Sequence, residues 1–203
     1  GVPRVVTLNV AFHLPSNPFN AWKYRSSRIT RYVAVSPAVS EELEAGGVEA
    51  ARITVIPPGL EVATWEPALR ARASVKEKRP IVVSMVAHYS KFKGHEVFLE
   101  GAARALKQRP DLRFRMVGRD GEKLRPLAVR LGIADKVDIL GERRDVVEQL
   151  ASTHILVVPS LSESFSLSCV EAQAAGIPVA ASNVGGLPSI IEDGRSGLIF
   201  PPG

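Results

Sequence analysis

The sequence predicts an α/β protein whose main part is a Rossmann-like, doubly wound parallel sheet, preceded by part of a second Rossmann-like domain. Short apolar segments alternate with helix-like segments over residues 81–200. This alternation is typical of a parallel sheet covered by helices on both faces. A shorter strand–helix–strand pattern occupies residues 4–59. We therefore predict domains at 1–65 and 80–203, joined by a linker at 66–79.

The first domain is predicted to supply three strands. The segment "RVVTLNV" (4–10) is apolar and β-branched, which indicates a buried strand. A loop and a short helix are expected in "HLPSNPFNAWKYRSS" (13–27), before a second strand in "YVAV" (32–35). A short strand and turn are expected in "ITVIPPG" (53–59).

A helix is expected within "SPAVSEELEAGG", between the last two of these strands. Ser36 can cap it, Pro37 suits its first position, and the glycine pair at 46–47 can end it. Residues 61–79 show neither strand nor helix periodicity and are rich in charge and alanine. This composition indicates the linker.

The second domain is predicted to alternate regularly between strands and helices. Its strands are expected at 81–87, 112–118, 137–140, 154–159, 177–182 and 197–200. Its helices are expected at 95–109, 122–132, 145–151, after the serine-rich segment that follows Pro159, and at 187–193. Ligands of such sheets bind beyond the carboxyl ends of the strands. The candidate site is therefore the set of loops after Ala87, Gly118, Leu140, Pro159 and Ser182.

Composition excludes several classes of protein. The 203 residues have an ordinary hydrophobic content of 45% and a single cysteine, which excludes an internal disulfide and fits a reducing, cytoplasmic compartment. No apolar run approaches membrane-spanning length, and no signal peptide is evident. The net charge of +5 is compatible with peripheral contact with an anionic membrane. The basic residues are scattered and accompany no nucleic-acid-binding motif, so we expect no nucleic-acid partner.

The loop "AHYSKFKGH" after the first strand of the second domain is basic. Lys93 precedes Gly94 at the start of a helix, where an ammonium and backbone N–H groups can bind phosphate together. The alternative is that this basic loop is only solvated. For His88, a role in binding and simple solvation are equally supported by the sequence. His95 is expected on the flank of the helix, without a ligand.

Two further loops offer weaker signals. In "VGRDGE", Gly118 permits close ligand approach, while Arg119 either reaches a phosphate or stays solvated. In "LGERRDV", backbone groups at Glu142 and Arg143 can meet a flat base, while their side chains are expected in solvent.

The segment "SESFSLSCVEAQAAG" carries two acids eight positions apart. Free backbone N–H groups at a helix start form an anion site. The residues expected to offer them are Ser164, Phe165, Ser166 and Leu167. Glu163 would repel a bare phosphate but could accept hydrogen bonds from sugar hydroxyls, and Glu171 could bind ribose as carboxylates do in dinucleotide folds. A solvated Glu171 is the alternative, although its neighbours are small and apolar.

The sequence lacks the motifs of other kinds of functional site. The sequence has no Asp-x-Asp pair or His/Cys cluster for a metal, and no Gly-x-Gly-x-x-Gly, Walker loop or Gly-x-Ser-x-Gly elbow. We therefore expect no metal and no cofactor.

Over about residues 30–203 the combined motifs resemble retaining glycosyltransferases of family 4, which have the GT-B fold. The resemblance rests on "SESFSLSCVEAQAAGIPVAASNVGGLP", "MVAHYSKFKGHEVFLEGAA", "FRMVGRDGE", "VDILGERRDV" and "YVAVSPAVSEEL", followed by "RITVIPPGLE". It implies transfer from a UDP- or GDP-sugar without metal. It also implies that Glu171 binds ribose, Glu163 binds the transferred sugar and Lys93 neutralises the leaving diphosphate.

The chain departs from that family's pattern. His88 stands where an arginine is usual, and Ser189 where a glutamate is usual. The glycine-rich loop and active-site histidine of the first domain are not in the sequence, nor are the usual last helices. We therefore expect an excerpt of a longer enzyme, inactive alone.

"NPFNAWKYRSSRITRYVAVS" resembles members that build envelope glycans, which points to a glycan or lipid-linked acceptor. The alternatives are a nucleotide-sugar-binding module without turnover and another GT-B enzyme, such as a sugar-nucleotide epimerase.

Overall fold

A computed structural model describes residues 2–9, 24, 26, 28–73 and 80–203, and its first part is a small parallel sheet. The strands are β1 (Val5–Leu8), β2 (Arg31–Ala34) and β3 (Ile53–Val55), in the order β1-β2-β3. β1 was expected to be buried, but it is an edge strand and Val5 is 60% exposed. The short helix expected within 13–27 lies mostly outside the described residues.

Helix α1 (Pro37–Ala45) follows β2, as predicted from its capping residues. The Ser36 hydroxyl accepts a hydrogen bond from the backbone N–H of Val39 at 3.3 Å, which satisfies one of the unpaired donors of the first turn. Val39 and Leu43 of this helix pack with Tyr32 in the buried core of the first sheet. The burial of this face holds α1 beside the carboxyl end of β2.

The prediction that residues 61–79 lack regular structure is wrong for most of that segment. A 3₁₀ turn covers Val62–Trp65 and continues into α2 (Glu66–Ala73). Trp65 and Ala68 are buried in the core of the second domain. They are the only buried residues among the side chains that the structure describes in this segment. Two buried positions are too few to create a periodic pattern amid charged residues, so tertiary packing determines the helix.

The second domain is a six-stranded sheet in the order β6-β5-β4-β7-β8-β9, with all its paired strands parallel. The strands are β4 (Val82–Val86), β5 (Arg113–Val117), β6 (Val137–Ile139), β7 (Ile155–Val158), β8 (Val179–Ser182) and β9 (Gly197–Phe200). Counted from β4, this order is the 3-2-1-4-5-6 of doubly wound dinucleotide-binding folds. From β4 the chain first adds strands on one side of the sheet, β5 and β6, and then on the other side, β7 to β9. This reversal of strand order lies between β4 and β7, and doubly wound folds bind ligands at such a point.

The helices of the second domain cover both faces of the sheet and create two buried clusters. They are α3 (His95–Gln108), α4 (Arg125–Arg130), α5 (Val146–Ala151) and α6 (Leu167–Ala174). No helix in the described part of the chain has the length and hydropathy needed to cross a bilayer.

Two predicted helices are shorter than expected. The first begins as a 3₁₀ turn at Gly121–Leu124, and only Arg125–Arg130 is α-helical. The second, expected at 187–193, is a 3₁₀ turn over Leu187–Ser189. There the Ser196 hydroxyl accepts the backbone N–H of Glu192 at 2.9 Å and draws the chain into a turn before β9.

Candidate functional site

An ion pair lies where the strand order reverses. The Lys93 ammonium, from the loop after β4, donates to Glu163 Oε2, from the loop after β7, at 2.7 Å. The Ser160 hydroxyl donates to the same oxygen at 3.2 Å. The side chain of Glu163 is only 7% exposed and that of Lys93 is 24% exposed. The pair is therefore partly withdrawn from water, and the ammonium is the more accessible partner.

The two loops are held together by their backbones as well. Leu161 N–H donates to Phe92 O at 2.7 Å. Gly94 has a φ of 71°, and a side chain there would place Cβ 1.9 Å from Pro159 O. Glycine at this position thus permits the lysine loop to approach the end of β7 closely.

A third loop supports Glu163 from the end of β8. Gly186 N–H donates to Glu163 O at 3.0 Å. Gly185 has a φ of 52°, and a Cβ atom there would lie 1.6 Å from the same carbonyl oxygen. The glycine pair therefore fixes the backbone that carries the Glu163 carboxylate.

A cleft of about 1030 Å³ opens between the two sheets beside this pair. His88, Lys93, Glu163 and Ser164 line its second-domain side, so four predicted site residues are brought together. Helix α1 lines the opposite side.

The start of α6 lies next to Glu163. The Ser166 hydroxyl caps this helix by accepting from Cys169 N–H at 3.4 Å. Within the described residues, the backbone N–H groups of Phe165 and Leu167 donate no hydrogen bond. The Phe165 side chain packs against the buried core of the first sheet. Two of the predicted amide donors, at Phe165 and Leu167, thus lie beside Glu163 without a hydrogen bond among the described residues, and the Phe165 side chain also joins the two sheets.

Glu171 is placed differently from Glu163. It is half-buried within α6, and burial raises the pKa of its carboxyl group above the ordinary value. Its side chain makes no hydrogen bond or ion pair within the part of the chain that the structure describes. It does not line the cleft beside Lys93. The structure therefore separates the two acids into different environments.

Cys169 lies between these acids in sequence and is fully buried. Burial, with a smaller contribution from the Glu163 carboxylate, raises the pKa of its thiol to about 12. The thiol stays protonated near neutral pH and is no nucleophile there.

The loops after β5 and β6 form a second depression, of about 420 Å³, lined in part by Arg119 and Glu142. Gly118 N–H donates to Gly141 O at 2.7 Å and joins the two loops. The guanidinium of Arg143 is paired at 2.7 Å with Asp145, which lowers the pKa of that carboxyl group. The predicted residues of these loops thus lie together, apart from the ion pair.

Sequence reasoning misplaced His95 and missed several residues. His95 was expected on the helix flank, but it is 1% exposed. Burial lowers the pKa of its imidazole, and its Nε2 lies 3.3 Å from Ala87 O. Missed altogether were Ser160, which lies two residues after β7, and the face of α1 towards the cleft. The signal for Ser160 was a loop hydroxyl three residues before the carboxylate of Glu163. The signal for α1 was a helix that follows the end of a strand.

No group of three or more histidine, cysteine, aspartate or glutamate side chains able to hold a metal is found among the described residues.

The parallel sheets and the cleft at the reversal of strand order define a protein with the α/β architecture of GT-B glycosyltransferases. The chain belongs to the glycosyl transferases group 1 family, whose model matches residues 68–203.

Known relatives and solved structures agree with this family. The chain is 40% identical over 169 residues to a D-inositol 3-phosphate glycosyltransferase of Acidothermus cellulolyticus, covering 75% of the chain and 38% of that protein. It is 36% identical to the enzyme of the same name from Paenarthrobacter aurescens, covering 83% of the chain and 44% of that protein. The chain thus spans about two fifths of these relatives.

Among solved structures, Anabaena HepE in complex with UDP superposes with a TM-score of 0.84 at 23% identity, covering 99% of this chain and 59% of that one. The lipopolysaccharide outer core galactosyltransferase WaaB superposes with a TM-score of 0.74 at 22% identity, covering 95% of this chain and 53% of that one. At these identities the likeness shows the fold.

Proposed function

We propose that this chain provides the donor-binding part of a retaining glycosyltransferase that moves a sugar from a nucleotide-diphosphate sugar without a metal. The ion pair between Lys93 and Glu163 carries the proposal, because a cation and a carboxylate meet there at the edge of the sheet where doubly wound folds bind ligands. The backbone N–H groups of Phe165 and Leu167, which donate no hydrogen bond among the described residues, add an anion-binding surface beside the pair.

Each charged group has a distinct role in this proposal. The Lys93 ammonium stabilises the charge that develops on the leaving diphosphate, which is the largest electrostatic demand of the reaction. The amides of residues 164–167 bind the diphosphate and sugar. The Glu163 carboxylate accepts hydrogen bonds from sugar hydroxyls, and the His88 imidazole lines the same side of the cleft.

The nucleoside is assigned to the groups farther from the ion pair. A half-buried carboxylate that has no partner among the described residues is ready to accept hydrogen bonds from vicinal hydroxyls, so we assign ribose to Glu171. We assign the base to the depression beside Gly118, Arg119 and Glu142, with backbone contacts also at Arg143.

We favour UDP-sugar as the donor over GDP-sugar, because the superposed HepE structure contains UDP. A cell-envelope glycan or lipid-linked acceptor is supported by the likeness to WaaB, whose name assigns it to the lipopolysaccharide outer core. We propose that the protein acts in the cytoplasm, and its net charge of +5 is compatible with peripheral contact with the inner face of the membrane.

The proposal is tested by calorimetric titration of UDP and GDP with and without EDTA, followed by a transfer assay with the UDP-sugar. Tight UDP binding that EDTA does not change supports a metal-free donor site. The anomeric configuration of the product, determined by NMR, tests retention. UDP-sugar binding without turnover in the longest natural form of the protein would favour a binding module, and an altered sugar still attached to UDP would favour an epimerase.

A further inference from the structure

His95 is a buried titratable side chain at the base of the loop that carries Lys93. It is the first residue of α3 and is 1% exposed. Its Nε2 atom lies 3.3 Å from the carbonyl oxygen of Ala87, the first residue after β4. Because a carbonyl oxygen can only accept a hydrogen bond, Nε2 must carry the proton. The imidazole thus joins the two ends of the loop formed by residues 88–94.

The surroundings of the ring favour the neutral imidazole. Nδ1 is buried and has no hydrogen-bond partner among the described residues, so a second proton there would leave a buried donor unsatisfied. Burial lowers the pKa of the imidazole, and the charges of Lys93 and His88 act in the same direction. The Glu96 carboxylate and the bond to Ala87 act against it but have smaller effects than burial. At neutral pH the ring therefore offers one N–H group, on Nε2, to the carbonyl of Ala87.

Tyr89 packs on the imidazole from within the loop. The centroids of the two rings are 5.3 Å apart and their planes meet edge-on at 71°. The Tyr89 hydroxyl donates to Glu96 Oε1 at 2.9 Å, and its backbone N–H donates to Arg119 O at 2.8 Å. Both partners lie on other elements, α3 and the loop after β5. Tyr89 therefore holds the imidazole in the orientation that places Nε2 beside the carbonyl of Ala87.

The carbonyl of Ala87 belongs to a fixed junction between two loops. The backbone N–H of Ala87 donates to the last carbonyl of β5 at 2.9 Å. Gly118 has a φ of 148°, and a Cβ atom there would lie 1.8 Å from Ala87 O. This junction fixes one end of the loop, and the close approach of Gly94 to the end of β7 fixes the other. His95 links the two fixed points, and Lys93 lies between them.

We propose that His95 is a positioning residue of the donor site, whose Nε2–H group holds the carbonyl of Ala87 and thereby keeps the Lys93 ammonium where the diphosphate meets it. The imidazole is buried, so it acts through the loop and does not touch the ligand. The inference rests on the proposed function, since it takes Lys93 as the partner of the diphosphate.

The test compares His95→Gln with His95→Leu in the purified protein. A glutamine amide can present an N–H group near the position of Nε2, whereas leucine fills the buried space without a donor. NMR titration measures the affinity for UDP of each variant, alone and combined with Lys93→Ala. Ser84→Ala is the matched control, because Ser84 is also 1% exposed and lies on β4, outside the loop. Its hydroxyl bonds that of Thr153 at 2.7 Å.

We expect His95→Leu to weaken UDP binding about fivefold, the loss typical of one hydrogen bond, and His95→Gln to stay within about twofold of the unaltered protein. Combined with Lys93→Ala, His95→Leu should change UDP affinity by less than about twofold, because the ammonium that it positions is gone. Ser84→Ala should lower thermal stability and leave UDP affinity unchanged. If His95 only stabilised the fold, its effect on UDP affinity would persist without Lys93.

A ¹⁵N NMR spectrum of the unaltered protein should show the imidazole proton on Nε2 at neutral pH, and this measurement decides even if His95→Leu does not fold. A proton on Nδ1 instead would overturn the inference. So would full UDP affinity in His95→Leu, an equal loss in His95→Gln or Ser84→Ala, or the same loss in the Lys93→Ala background. Absence of UDP binding by the unaltered protein would contradict the proposed function.

Discussion

The Lys93 ammonium and the Glu163 carboxylate meet at 2.7 Å across the reversal of strand order, one from the loop after β4 and the other from the loop after β7. The contact offsets much of the lysine charge. A diphosphate must therefore share or replace Glu163 as the partner of Lys93. In the proposed donor site, the pair would thus set both the affinity for the donor and the balance between sugar nucleotide and bare diphosphate.

Replacing Lys93 by alanine should weaken UDP binding by about 1.5–3 kcal/mol, the range for a hydrogen bond to a charged group. It should also lower the free energy of unfolding by about 1–3 kcal/mol, because the nearly buried Glu163 carboxylate loses its cation. Calorimetric titration and urea denaturation measure the two effects. Lys91→Ala is the control, since Lys91 is an exposed lysine of the same loop. Equal losses in both variants would show that only the net charge of the loop matters.

Gly185→Ala should destabilise the protein by about 1–3 kcal/mol, through a backbone conformation unfavourable to alanine and a clash with the carbonyl of Glu163. Because that backbone carries the Glu163 side chain, UDP-sugar affinity should fall as well. Gly194→Ala is a matched control: its φ of 75° is also positive, but a Cβ atom there meets nothing within 4 Å. If both variants lost equal stability and UDP-sugar affinity, the close contact at Gly185 would have no role.

The strand alternation, and with it the edge of the sheet where the candidate site lies, could be predicted from sequence, because buried parallel strands leave continuous apolar runs. The position of Glu163 in the loop that leads into α6 could be predicted too, because a serine-rich segment and a helix-like segment follow it in the sequence. Its ion pair with Lys93 could not, because 70 residues separate them and only the strand order brings their loops together. Helix α2 was missed for a related reason: its contacts lie in another part of the chain.

Glu171→Gln should stabilise the protein near neutral pH. Burial raises the pKa of this carboxyl group, so the folded state holds its proton more tightly than the unfolded state. Stability from this group is therefore lost as the pH rises through the raised pKa, and the ionised form opposes folding at neutral pH. Thermal denaturation between about pH 4 and pH 8 should show a higher Tm for Glu171→Gln at neutral pH, with the difference shrinking towards acid. A lower Tm at neutral pH would indicate that a partner stabilises the carboxylate.

The two glutamates should respond differently to UDP and to a UDP-sugar. If Glu171 binds ribose, Glu171→Gln should weaken both ligands by about 1–3 kcal/mol, because both carry ribose. If Glu163 binds the sugar, Glu163→Gln should weaken the UDP-sugar by a similar amount. The same change should leave UDP unaffected or bound more tightly, because it frees Lys93 from its carboxylate partner and removes a negative charge beside the start of α6.

Calorimetric titration of both variants with both ligands separates these roles, and the structure supplies a control for the ion pair. Ser160→Ala removes the hydroxyl that donates to Glu163 Oε2 but leaves both charges in place. It should therefore weaken the UDP-sugar less than Glu163→Gln does, and it should not strengthen UDP binding. Equal losses for UDP and UDP-sugar in Glu163→Gln would contradict the division of labour. They would show that Glu163 acts only by holding Lys93 in place for the diphosphate.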